Sequence, residues 1–163
     1  MNDSVRPAEP TTADLEARRA ARRYPDRPIV AVLAVVVRGE QALIVQRAQQ
    51  PNAGRWGFPG GVLELGETVG EGAMRELLEE TGVVAEPAGT LNVHDAISRD
   101  EEGRVQFHYL LIAIRGKWVS GEGKPGDDAA DCAWVTRQDI LAERYPTFPT
   151  LLPLFDLALA AQD

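Results

Sequence analysis

The chain has 163 residues, 44% of them hydrophobic and 26% charged, with a net charge of −8 at pH 7 and one cysteine, Cys132. That length suits one domain with a sizeable core and leaves little room for two. The acidic balance argues against a general nucleic-acid binder, the lone cysteine excludes an internal disulfide and a cysteine-based zinc site, and no apolar run reaches the ~18 residues of a membrane span.

Residues 1–10 are polar, carry Pro7 and Pro10, and read as a mobile tail without the apolar stretch of a signal peptide. A reducing cytoplasm is the expected location. A short helix is predicted from Thr12 to Arg23, capped by Thr11 or Thr12 and followed by Pro28. Its arginines, Arg18, Arg19, Arg22 and Arg23, suit a solvated or subunit-facing surface better than a nucleic-acid arm. Two β-branched runs, Ile29–Val37 and Ala42–Arg47, flank "RGEQ" and predict a hairpin. A loop rich in turn residues leads to a short strand at Trp56–Phe58, and residues 68–82 read as a helix that Gly82 stops. Strands are expected near Gly89–His94, at Val105–Arg115 after a tip at Arg99–Arg104, and at Asp131–Thr136. A last helix starts at about Thr150. Strands on both sides of a central helix predict an α/β fold with a mixed sheet between helices. Residues 1–28 divide off as tail and short helix, and 29–163 as the domain proper.

The central helix carries "AMRELLEETG" at residues 73–82. At about 100° per residue, Glu76, Glu79 and Glu80 fall within roughly a third of its circumference. Like charges three and four apart on a helix repel. The stretch is therefore either a solvated acidic face or a set of hard oxygen ligands for a divalent cation, which turns repulsion into attraction. The flanks favour the second reading. Gly60 and Gly61 precede the helix and let a backbone come close to a ligand, while Arg75 stands beside Glu76 and can hold a carboxylate in place.

Residues 61–83 resemble the Nudix box, G-x5-E-x7-R-E-(aliphatic)-x-E-E-x-G-(aliphatic), without a gap. The matching residues are Gly61, Glu67, Arg75, Glu76, Leu77, Glu79, Glu80, Gly82 and Val83. Nine fixed positions in one register make a specific signal. "LIVQRA", "GRWGFPGG" and the late "AWV" are also similar to this family, over residues 29–160 in all. The resemblance implies an α/β/α sandwich with a mixed sheet and the box as loop–helix–loop. It further implies a Mg²⁺- or Mn²⁺-dependent pyrophosphohydrolase of a nucleoside diphosphate linked to another group. On that resemblance Glu76, Glu79 and Glu80 become metal-site carboxylates, and the carbonyl of Gly60 or Gly61 a further ligand. Arg75 orients the carboxylates, through Glu67 among others, and Glu79 is the first candidate for the base. Asp127, Asp128 and Asp131 in "GKPGDDAAD" offer an alternative base in the late loop, or merely an exposed acidic loop. A homodimer paired through the N-terminal helix and first hairpin is also expected.

Several residues outside the box carry two readings. Arg47 and Arg55 either grip substrate phosphate or lie on the surface. Trp56 and Phe58 suit core packing more than base stacking. His94 and His108 are not spaced as a metal pair, and His108, inside an apolar strand, reads as a satisfied structural histidine. Cys132 reads as a buried small apolar residue and Trp134 as a core residue.

The subgroup marks are missing. No proline lies between Pro87 and Pro125 where ADP-ribose enzymes of the family often carry one, Arg99 stands where diadenosine polyphosphate enzymes have tyrosine, and there is no "SQPWPFP" string. The favoured substrate is ADP-ribose or a nucleotide sugar. The alternatives are cleansing of damaged nucleoside triphosphates and a non-catalytic nucleotide sensor. The complete set of box acids counts against the sensor. An isomerase on the same fold wants more histidine and a reactive cysteine, and a P-loop enzyme wants the absent G-K-[ST].

Overall fold

The computed structural model describes residues 11–126 and 128–162. The expected N-terminal tail and Asp127 lie outside the described residues. In chain order the elements are α1 (Thr12–Ala20), β1 (Ile29–Arg38), β2 (Gln41–Arg47), β3 (Trp56–Gly57), β4 (Gly60–Val62) and α2 (Val69–Thr81). There follow β5 (Val84–Arg99), β6 (Val105–Ser120), β7 (Ala129–Thr136), α3 (Arg137–Leu141) and α4 (Leu151–Ala160).

The seven strands form one mixed sheet in the order β3-β2-β1-β6-β5, with β4 paired to β1 and β7 to β2. β1 runs parallel to β6 from Ile29 to Val37, and the other pairings are antiparallel. β1 is buried on both faces, which explains its unbroken apolar run. Its side chains alternate: Val32, Ala34 and Val36 pack with Ala73 and Leu77 of α2, whereas Val35 packs with Leu151, Leu154 and Phe155 of α4. The architecture is the expected sandwich, with α2 on one face and α4 on the other. Among the described residues no helix is long and apolar enough to cross a membrane.

α2 starts and stops for local reasons. Thr68 accepts a hydrogen bond from the Glu71 N–H, while the Glu71 carboxylate accepts from the Thr68 N–H. Gly82 ends the helix with φ +68, a left-handed conformation that costs a side-chain-bearing residue more than glycine.

Some boundaries depart from expectation. α1 ends at Ala20 rather than Arg23, capped by Thr11 through a reciprocal pair with Asp14. β5 and β6 each run for 16 residues, much longer than the sequence predicts. Register shifts at Val84/Ala85, Pro87/Thr90, Thr90/Asn92 and Ser98/Arg99 accommodate the proline and the irregular polarity of β5, which an edge strand tolerates. β4 and α3 were not expected. The first is three residues, two of them glycine, and the second is a single capped turn begun by Thr136 and Asp139. Trp56 and Phe58 are buried, Trp56 edge-on to Tyr145 at 4.9 Å, so both serve the core.

Candidate active site

The box folds so that Arg75 becomes the hub of its acids. The guanidinium donates through Nε and Nη2 to both oxygens of Glu67, through Nη1 to Glu76 at 2.9 Å and to Glu79 at 3.3 Å, and through Nη2 to the Val62 carbonyl at 3.3 Å. Helical spacing places Glu79 four residues on from Arg75. Glu67 reaches it from the preceding loop, where its carboxylate also accepts the Glu64 N–H at 3.0 Å. The Arg75 hydrogen bond holds the Glu67 carboxyl below the usual range, and the Glu67 and Glu76 carboxylates raise the arginine further above its own.

Glu76 and Glu80 behave in the opposite way. Burial pushes the Glu76 carboxyl up, against the pull of Arg75. Burial, then the charge of Glu76, pushes Glu80 up to about 8. The Gly60 N–H, 3.2 Å from Glu80 Oε2, and the nearby Arg47 offset part of that, whereas Asp128 adds to it.

The paired glycines earn their place by close approach, not by unusual dihedrals, since neither has a positive φ. A Cβ on Gly60 would sit 2.2 Å from the Val32 carbonyl oxygen, because β4 lies tight against β1. One on Gly61 would sit 2.4 Å from Glu76 Oε1.

Among the described residues no three acidic, histidine or cysteine side chains converge into a finished metal cage. Glu76 and Glu79 turn to Arg75, and Glu80 turns to the Gly60 N–H. The donor chemistry nevertheless fits a hard divalent cation. The groups are all oxygens, and two of the carboxylates sit where burial and mutual repulsion disfavour their charge.

The late loop closes over the end of α2. The Lys124 N–H donates to the Thr81 carbonyl and the Gly126 N–H to the Glu80 carbonyl, each at 2.9 Å, which satisfies two carbonyls at the end of the helix. The far end of the loop is clamped: Arg38 lies over Trp134 at 4.3 Å and Trp118 at 5.2 Å and bonds to Glu122. Trp134 donates to the Glu122 carbonyl at 2.7 Å. The Gly126 bond to the Glu80 carbonyl draws Asp128, two residues on, towards the end of α2, whereas the Asp131 carboxylate accepts the Cys132 N–H.

The remaining candidates divide. Arg47 is exposed, with its charge acting on Glu80. Arg55 is occupied elsewhere, donating to the Thr147 carbonyl at 2.9 Å and lying over the Phe148 ring. His94 is exposed on β5 and His108 half-buried on β6, and among the described residues no buried side-chain polar atom lacks a partner. Cys132 is only half-buried. Sequence patterns gave no hint of Arg19 or Gln49, both of which contact Asp128. Nothing local links residues so far apart.

The model of the NUDIX domain matches residues 27–155. An ADP-ribose pyrophosphatase of Methanocaldococcus jannaschii is 36% identical over 104 residues, 64% of this chain and 59% of that protein. The match therefore spans less than two thirds of the archaeal relative. The phosphatase NudJ of Escherichia coli K12 is 34% identical over 115 residues, covering 71% of this chain and 72% of that one. The crystal structure of a MutT NUDIX hydrolase from Burkholderia pseudomallei has a TM-score of 0.69 and 27% identity, covering 81% of this chain and 98% of the other.

Proposed function

The chain belongs to the Nudix family, and from that premise we propose that it is a divalent-cation-dependent hydrolase of the diphosphate linkage in a nucleoside diphosphate joined to another group. ADP-ribose or a nucleotide sugar is the favoured substrate, and Mg²⁺ or Mn²⁺ the favoured ion. The observation that carries the reading is the pair of half-buried carboxylates, Glu76 and Glu80, left without full charge compensation beside a complete set of box acids.

Glu76, Glu79 and Glu80 would hold the ion, with a carbonyl of Gly60 or Gly61. A divalent cation supplies charge neutralisation on the diphosphate and lowers the pKa of nearby water. The chain's own residues supply position. Arg75 fixes Glu67, Glu76 and Glu79 at set distances. Arg47, exposed and with its charge acting on Glu80, is the first candidate to pair with a phosphate oxygen, ahead of Arg55, whose Nη2 donates to the Thr147 carbonyl. Water attacks one phosphorus, its proton passes to a carboxylate, and the bridging P–O bond breaks, leaving two monophosphates. Glu79 is the first candidate base, and Asp128 the alternative in the late loop. Catalysis at phosphorus is then mainly positioning and electrostatics.

A cavity of about 170 Å³ on the α4 face supports a nucleoside substrate. It is walled by Leu33, Leu111, Ala113 and Leu154, with Asn92 and His94 as polar groups. Leu33 pairs with Gly60, so the cavity adjoins the strand that meets Glu80.

The test is a panel of ADP-ribose, nucleotide sugars and oxidised nucleoside triphosphates with Mg²⁺, products identified by mass. AMP and ribose 5-phosphate from ADP-ribose, abolished by chelation, is the expected result. Exclusive turnover of triphosphates to monophosphate and pyrophosphate would replace the substrate assignment, and no turnover of any substrate would overturn the activity.

A further inference from the structure

α1 precedes the stretch that the family model matches and has no buried residue. A helix without a buried face is kept in place by directed contacts, and those of α1 go to the rim of the site. Arg19 Nη2 donates to both carboxylate oxygens of Asp128 at 2.9 Å, and its Nη1 donates to Gln49 Oε1. Gln49 in turn donates through Nε2 to Asp128 at 3.3 Å. Two groups thus fix the Asp128 carboxylate of the loop before β7, Arg19 from α1 and Gln49 from the loop after β2.

The other end of the N-terminal segment is pinned independently. The Tyr24 N–H donates to the Gln106 carbonyl at 2.8 Å, and the Tyr24 hydroxyl to Asp100 at 2.9 Å. Arg23 and Arg104 lie over the Tyr24 ring at 5.5 and 5.1 Å. The segment therefore runs from the β5–β6 tip to the Asp128 rim, anchored at both ends. Loss of the Arg19 contact alone leaves the Tyr24 anchor and the core untouched.

We propose that Arg19 is a positioning residue: from a helix that precedes the family-matched stretch it holds Asp128 against Gln49 at the mouth of the site, and so couples the docking of α1 to turnover. The inference rests on the hydrolase reading above. Asp128 lies two residues after Gly126, whose N–H donates to the Glu80 carbonyl at 2.9 Å, which ties its loop to the ligand helix, whereas the Asp131 carboxylate is bonded to the next residue's N–H. The pair is 43% and 59% exposed, so it adds little to global stability. A kinetic effect without a stability effect is therefore the signature of positioning.

The full chain is assayed with ADP-ribose and Mg²⁺ as Arg19→Ala, Arg19→Lys, Asp128→Asn and the Arg19→Ala/Asp128→Asn double variant. Hydrogen exchange at residues 12–20 is followed in parallel. Arg19→Ala is expected to lower kcat about tenfold, with KM within about twofold of wild type and Tm within about 1 °C. Arg19→Lys restores part of the loss, and the double variant is no slower than Asp128→Asn alone. Exchange at 12–20 rises equally in Arg19→Ala and Asp128→Asn. Wild-type kcat in Arg19→Ala, or single effects that multiply in the double variant, overturns the proposal. If wild type cleaves no diphosphate, the hydrolase reading fails by itself, and unchanged exchange at 12–20 in Arg19→Ala then refutes the docking of α1 through Arg19 as well.

Discussion

Replacing Glu80 by glutamine is expected to abolish most turnover while making the ion-free protein more stable. Glutamine keeps the shape and can accept the Gly60 N–H, but it cannot supply the anionic ligand. A charge-stabilising contact worth about 4 kcal/mol in the transition state corresponds to a fall in kcat of about 10³-fold. The stability change has the opposite sign. The Glu80 carboxyl sits at about 8 in the fold against an ordinary value of 4.5. Below pH 4.5 the group is protonated in both folded and unfolded chains and has no effect. Between 4.5 and 8 the unfolded chain releases the proton more readily, so this group's penalty grows with pH and levels off above 8. At pH 7 the penalty is about 3 kcal/mol, and relief of it raises Tm by about 5–10 °C in the presence of chelator. The gain shrinks towards pH 5. Thermal melts of wild type and Glu80→Gln at pH 5, 7 and 8.5, with kcat on the same samples, check both signs. An unchanged kcat, or a Glu80→Gln protein less stable than wild type at pH 8.5 without ions, contradicts the assignment.

The second large effect is expected at Arg75. Its guanidinium satisfies Glu67, Glu76 and Glu79 together, with Arg75, Glu67 and Glu76 side chains 24%, 18% and 15% exposed. Arg75→Ala leaves three carboxylates facing one another without a cation. Breaking a buried pair costs 3–5 kcal/mol, and the partial exposure here brings the expected loss to about 2–3 kcal/mol, or about 5–10 °C in Tm. Turnover falls by about 10²-fold as the ligands lose their orientation. Arg75→Lys recovers little, because a point charge cannot reproduce the fork that grips both Glu67 oxygens. Mn²⁺ should restore part of the Arg75→Ala stability, since the ion replaces the missing positive charge. Wild-type Tm and kcat in Arg75→Ala would show that the hub is incidental.

These two residues were legible because their relations are local. Arg75, Glu76, Glu79 and Glu80 lie within two helical turns, and "TVGE" before them writes the cap that starts the helix. The β1–β2 hairpin was legible for the same reason, through a two-residue turn with Gly39 at φ +61. What the sequence concealed depends on tertiary partners. β5 contains Pro87, Gly89 and scattered polar residues, and it becomes one strand only because β6 pairs with it through several register shifts. The need for Gly60 lies in the Val32 carbonyl of a neighbouring strand. Arg19 and Asp128 are 109 positions apart, so no spacing rule could join them. The arginines of α1 read only as a charged surface until the fold brought one of them to the site.

Anomalous diffraction from crystals soaked in Mn²⁺ tests the central claim most directly. The account predicts a peak within ligating distance of Glu76, Glu80 and a carbonyl of Gly60 or Gly61, absent from crystals of Glu80→Gln. A protein that turns over substrate while its manganese peak lies away from α2, with Glu76 and Glu79 still bound to Arg75 and Glu80 to the Gly60 N–H, would contradict it.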